Sequence, residues 1–166
     1  MLPEPTHRLR FRRMEMSDLD DVTAMLVDFD PMRGDRPAST RDDAVRWIEW
    51  QQRNYVEHDF GLWVLETHEG EFVGDCGLTV QDVEGVPHVE VGYHLVSDMR
   101  RLGYATEAAR AVRDCAAANG VEHLVALIRP ENTPSQGVAR NLGMSLERTA
   151  YVHGTDALVF GMRLGR

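Results

Sequence analysis

With 27 acidic against 18 basic side chains in 166 residues, the chain carries a formal net charge of -9, which argues against a general nucleic-acid binder, where a basic face is expected. Its length suits a single domain, 1–166, and 43% apolar with 27% charged residues is the composition of a globular chain that buries a core without staples. No apolar run is long enough to span a bilayer, and the arginine-bearing start lacks the apolar centre of a secretion signal, so a cytoplasmic location is expected.

Residues 7–13 read as a first strand. Ser17 reads as an N-cap, with Asp18, Asp20 and Asp21 favoured at the positive end of a helix over 18–29, whose Leu19, Val22, Met25, Leu26 and Phe29 recur at helical spacing. Asp30 to Ser39, with two prolines and a glycine, is a loop. Thr40 caps a second helix, with Asp43 placed to reach back. Ala44, Trp47, Ile48, Gln51 and Tyr55 line one side of it, which assigns Trp47 to the core and leaves Trp50 off the stripe to shape a pocket. A meander follows: strands at 62–66, 72–81 and 86–95, joined by turns at Glu69-Gly70 and Glu84-Gly85.

The period then changes. Ala105, Ala108, Ala109, Val112, Cys115 and Ala116 mark a helix that Asn119-Gly120 ends. Residues 124–128 form a buried strand, Pro134 suits the first turn of another helix, Leu142-Gly143 closes it, and strands near 145–151 and 157–164 complete the chain. The order β-α-α-β-β-β-α-β-α-β-β predicts an α/β fold with a mixed, mostly antiparallel sheet flanked by helices. Cys76, in a strand, and Cys115, on a helix, read as two buried thiols. The seven histidines have no partners at zinc-ligand spacing, so no metal is expected.

Between strand and helix lies Arg100-Arg101-Leu102-Gly103-Tyr104-Ala105-Thr106. A helix N-terminus presents unpaired N–H groups and partial positive charge; Gly103 admits a ligand close to the backbone and the two arginines add cationic charge. This is an anion site, and it lacks the Gly-Lys-Ser/Thr ending of a P-loop and the glycines of a dinucleotide fingerprint. Arg100-x-x-Gly103-x-Ala105 resembles the acyl-CoA pyrophosphate signature of the GNAT superfamily. Gly103 to Ala108, Glu90 to Leu95, Asn132-Thr133-Pro134-Ser135 and Leu142-Gly143-Met144 resemble its RimJ/RimL-type branch, in order and at spacing, from Phe72 to Leu164. Ser97 stands where a proline is common in the family and Met144 where a phenylalanine is usual.

The resemblance implies an N-acetyltransferase that moves an acetyl group from acetyl-CoA to a primary amine by direct transfer in a ternary complex. The cofactor cleft would lie between the fourth and fifth strands. Pantetheine would pair with the backbone of His94 and Leu95, pyrophosphate would sit on the N–H groups of Arg101 to Thr106, and Asn132 would contact the cofactor near the thioester. The acid tyrosine of many members falls at Ala139 here. Ser135 is the branch's alternative donor to the sulfur, or else a residue that merely satisfies a helix turn. Strand alternation puts His88, Glu90, Gly92 and His94 on one face, towards the acceptor, and Val89, Val91, Tyr93 and Leu95 on the other, towards a helix. Glu90 is the first candidate for base or amine anchor and His94 the second; a carboxylate on a strand is also a common structural partner for arginine. Acceptors in the branch include protein N-terminal amines and small amines such as polyamines or aminoglycosides, and members often form dimers. A non-catalytic acyl-CoA-binding module is the reading from another class.

Overall fold

The computed structural model describes residues 1–29 and 39–165. The elements are β1 (Leu9–Arg12), α1 (Leu19–Phe29), α2 (Arg41–Glu57), β2 (Leu62–Thr67), β3 (Phe72–Val83), β4 (Val86–Leu95), α3 (Tyr104–Ala118), β5 (His123–Ile128), α4 (Thr133–Asn141), β6 (Ser145–Val152) and β7 (Thr155–Arg163). The sequence order is as expected, with strand ends differing by a few residues. Most of the loop read at Asp30 to Ser39 lies outside the described residues. Among the described residues, no helix is long and apolar enough to cross a membrane.

All strands join one sheet in the order β1-β2-β3-β4-β5-β7-β6. Every neighbouring pair is antiparallel except β4 and β5, which are parallel and paired only at Val89 with Leu124 and Glu90 with Val125. β4 continues to Leu95 and β5 to Ile128, so the two strands diverge beyond that short contact. This divergence is the opening expected between the fourth and fifth strands.

Alternation along β4 assigns its faces. His94 meets the rings of Phe29 in α1 and Trp47 in α2, at centroid distances of 4.9 and 5.2 Å. Tyr93, on the opposite face, donates its hydroxyl to the Ser135 carbonyl in α4 at 2.8 Å. The main core gathers Leu9, Val22, Met25, Ile48, Trp63, Leu65, Leu78, Val112, Leu124 and Phe160, and a smaller cluster of valines and alanines lies under the β6–β7 hairpin.

Two helix starts differ in kind. Thr40 and Asp43 form the expected reciprocal cap on α2. Ser17 does not cap α1. A short 3-10 turn over Met16–Asp18 precedes α1; Asp18 reaches back to the Glu15 N–H at 2.8 Å and accepts from the two terminal guanidinium nitrogens of Arg12 at 2.7 and 2.9 Å. An arginine on β1 draws the carboxylate inward, a contact that local sequence does not show. The thiols also differ: Cys76 is buried, Cys115 only half-buried.

Candidate active site

The divergence of β4 and β5 opens two adjoining clefts. One, of about 300 Å³, lies on the α1–α2 side and is lined by Phe29, Trp47, Trp50, Gln81, Glu90, His94, Arg129 and His153 among others. The second, of about 410 Å³, runs along Leu95, Arg100, Arg101, Gly103, Tyr104, Ala105, Thr106, Pro134 and Val138. Phe29, Tyr93, His94, Asn132 and Ser135 line both, and so mark the junction.

The second cleft ends on groups that could hold an anion. Gly103 caps α3 with φ +83°, a left-handed conformation that L side chains rarely adopt. The first backbone donor taken inside the helix is the Glu107 N–H, on the Gly103 carbonyl, so the N–H groups of Tyr104, Ala105 and Thr106 lie ahead of the intrahelical ladder. Leu102 is the exception among the expected loop residues. It is half exposed to solvent, and its carbonyl accepts from Arg8 at 2.8 Å. Arg100 does more than add charge: its guanidinium donates to the Leu95 carbonyl at 3.2 Å and the Asp28 carbonyl at 3.0 Å, tying the loop to β4 and α1.

Sequence reasoning missed Arg8. It stacks over the Tyr104 ring, 4.4 Å from the centroid, and pairs with Glu107 at 2.6 Å, fastening the chain's start to α3.

His94 enters the site by its side chain. Its carbonyl faces Gly74 on β3: a Cβ at Gly74 would come within 2.0 Å of it. Val96 likewise donates its N–H to Val73. By alternation, the backbone groups of Tyr93 and Leu95 face the opening, so of the expected pair His94 and Leu95 only Leu95 offers its backbone there.

Asn132 caps α4, its Oδ1 accepting from the Ser135 N–H at 3.2 Å. With the oxygen committed, the amide NH₂ remains the donor. Ser135 sits in the first helical turn, at the junction.

The first cleft holds the titratable groups. Glu90 and His94 line it with Gly92 between them, whereas His88 turns away to the His123 ring, 6.0 Å between centroids. Burial pushes the Glu90 carboxyl above its ordinary value, opposed by hydrogen bonds from the Thr79 hydroxyl at 3.0 Å and the Leu127 N–H at 3.4 Å. Gln81 donates to Thr79 at 3.1 Å, and Gln81 Oε1 is 2.8 Å from His153 Nε2. His153 stands at φ 51° in a two-residue β6–β7 turn with Gly154 at φ 79°.

Trp47 is half-buried in the cleft, not confined to the core; its indole N–H donates to Asp75 at 3.0 Å. Trp50 lines the cleft as expected. Sequence reasoning passed over Asp75, Thr79, Gln81 and His153. The one available signal was Asp75, a charge inside the apolar run Val73 to Leu78. Among the described residues no group of three His, Cys, Asp or Glu side chains could hold a metal ion.

Residues 8–145 match the family profile described as an acetyltransferase (GNAT) domain. The chain is 34% identical over 147 residues to YkkB, an uncharacterized protein of Bacillus subtilis strain 168, covering 87% of this chain and 86% of that one. An acetyltransferase from Agrobacterium tumefaciens strain C58 superposes with a TM-score of 0.83 at 23% identity, covering 98% of this chain and 94% of the other. RimL, a ribosomal-protein alpha-N-acetyltransferase solved with coenzyme A, superposes with a TM-score of 0.80 at 15% identity, covering 99% and 98%. At these identities the two structures establish a shared fold.

Proposed function

The chain belongs to the GNAT acetyltransferase family and is therefore an acyltransferase; from that premise we propose that it carries acetyl from acetyl-CoA to the α-amine of a peptide or small amino compound, as a RimJ/RimL-type enzyme. The observation that supports this is the junction. A cleft ending on a helix N-terminus meets an aromatic-walled cleft that holds Glu90, the two joining at Asn132, Ser135 and His94. The α3 N-terminus, its left-handed Gly103 and the adjacent Arg100 and Arg101 fit a pyrophosphate, and the second cleft fits an extended arm leading from it.

Acetyl-CoA, when bound, supplies the activated acetyl group. Glu90 draws the ammonium into the first cleft and takes a proton from it, and burial makes its carboxylate a better proton acceptor than an exposed one. Phe29, Trp47 and Trp50 line this cleft, and aromatic rings attract a cation. The Asn132 amide and Ser135 hydroxyl provide donors at the junction, where charge develops.

The α-amine preference rests on proton cost. A peptide α-amine has a pKa of about 7.7–8.0, so roughly a tenth is neutral at pH 7; an alkyl amine near 10.4 is neutral only about once in 2,500 molecules. A site that relies on the Glu90 carboxylate as its base handles the first more easily. Thiol release from acetyl-CoA tests this. A short peptide with a free N-terminus is expected to outcompete spermidine at pH 7, and Glu90→Gln to slow the peptide reaction least at high pH. Equal or better turnover of spermidine throughout would favour a small-amine enzyme, a reading to which the compact acceptor cleft of about 300 Å³ lends weight.

A further inference from the structure

Behind the imidazole at the junction stands a carboxylate with no solvent exposure. Asp75 Oδ1 lies 2.7 Å from His94 Nδ1, and its other oxygen accepts from the Trp47 indole at 3.0 Å. Phe29 and Trp47 hold the ring edge-on. Amine capture by Glu90 does not call for this arrangement. One task in acetyl transfer does: the departing sulfur needs a proton, and Ala139, buried on α4, stands where many family members have a tyrosine. Tyr93 does not fill that role. Its hydroxyl proton is directed at the Ser135 carbonyl, and burial pushes its pKa up. The Ser135 hydroxyl can polarise the sulfur, but serine is no proton reservoir near neutral pH.

We propose that His94, positioned by Asp75, is the catalytic acid that protonates the departing sulfur through Nε2. The proposal rests on the acetyl-transfer reading above. With Nδ1 committed to Asp75, Nε2 is the nitrogen left for the junction. The second oxygen of Asp75 is fixed by Trp47, which locks the carboxylate and through it the ring.

The charges around the ring favour imidazolium. Asp75 faces it from β3 and Glu90 from its own strand. Arg100 approaches from the loop before α3, and Arg129 lines the acceptor cleft. α1 contributes the Phe29 ring, with the Asp28 carboxylate engaged by Ser97; α2 contributes Trp47; α4 contributes the uncharged Asn132 and Ser135. Burial lowers the imidazole pKa, but the charge and hydrogen bond of Asp75, with the charge of Glu90, outweigh it, and the net shift is upward.

As the amine nitrogen bonds to the acetyl carbon and the carbon–sulfur bond breaks, the electron pair stays on sulfur and His94 gives that sulfur its Nε2 proton. The nitrogen sheds two protons through Glu90 as ammonium becomes amide. One restores the imidazolium and the other leaves to solvent, so each turnover releases one net proton.

The first test needs no turnover. NMR titration of the His94 ring in the ligand-free protein is expected to give a pKa above the ordinary value of about 6.5, and Asp75→Asn to bring it down. Kinetics supply the second. His94→Gln is expected to lower kcat about 100-fold, the low end for general acid help, with acetyl-CoA affinity by calorimetry unchanged. The fall of kcat at alkaline pH is expected to disappear with it. A ring that titrates at or below the ordinary value, a kcat within threefold of wild type, or a surviving alkaline limb would each overturn the assignment. If Asp75→Asn does not fold, the wild-type titration and His94→Gln still decide. Failure of the wild-type protein to bind acetyl-CoA would overturn the functional reading and this proposal together, whereas intact binding with an indifferent His94→Gln overturns only the acid.

Discussion

The donors around Glu90 all point towards it: Gln81 to Thr79, Thr79 to Glu90, and the Leu127 N–H from the neighbouring strand. Thr79 is almost fully buried, so its hydroxyl has no water to exchange with. Hydrogen bonds to charged groups contribute about 1.5–3 kcal/mol, which is roughly 1–2 pH units of carboxylate stabilisation. Thr79→Val keeps the side chain's shape and removes that donor. It is expected to raise the Glu90 pKa further and move the acid limb of the kcat/KM profile up by about 1 unit. An unmoved limb would show that Glu90 does not titrate in the rate. His153 anchors the far end of the line from a left-handed turn position, a conformation histidine adopts more readily than most residues.

Among the elements, the start of α3 is where the proposed pyrophosphate site is tested. Gly103→Asp forces a side chain into a left-handed conformation and sets a negative charge beside the unpaired N–H groups. Calorimetry on the folded variant is expected to show acetyl-CoA binding reduced at least 100-fold; unchanged affinity would move the phosphate site elsewhere. This element was legible because its signals are local: a glycine at a strand-to-helix turn, flanking arginines and an alanine stripe. The Thr40/Asp43 cap and the β3–β4 hairpin were legible for the same reason. Ser17 misled because the partner of Asp18 is on another element. Asp75, Gln81 and His153 went unread because their meaning lies in pairings across the sheet, between residues as distant in sequence as Gln81 and His153. Of the site, the face carrying Glu90 and His94 followed from alternation; which groups hold those side chains did not.

Across the whole molecule, part-buried ionic contacts tie the chain's start to the sheet and to α3. Burial pushes the Asp18 and Glu107 carboxyls up, but their hydrogen bonds, to Arg12 and the Glu15 N–H in one case and to Thr6 and Arg8 in the other, bring both below their ordinary values. A carboxyl depressed in the folded state contributes stability above its unfolded pKa, about 3.9 for Asp and 4.3 for Glu, and loses it as pH falls through the folded value. The raised His94 works in the opposite sense: its contribution is complete below about 6.5 and is lost as pH rises through the folded value. The melting temperature is therefore expected to fall on the acid side below about pH 4.3, and Glu107→Gln to flatten that fall. An acid limb identical in the variant would remove Glu107 from the account.

In backbone pairing, the divergence of β4 from β5 makes the sheet two rafts moored by two residue pairs, with the Leu127 N–H on Glu90 and Gln81 with His153 as side-chain ties between them. β1 to β4 form one and carry His94 and Glu90; β5, β7 and β6 form the other, and α4 with Asn132 and Ser135 follows directly from β5. The mooring is two residue pairs wide, and the Tyr93 hydroxyl on the Ser135 carbonyl is a rope across the gap beyond it. Any rocking of one raft against the other leaves each internally intact and changes the spacing between His94 and Ser135. That rope is one of the contacts that hold the distance between His94 and Ser135 across the junction.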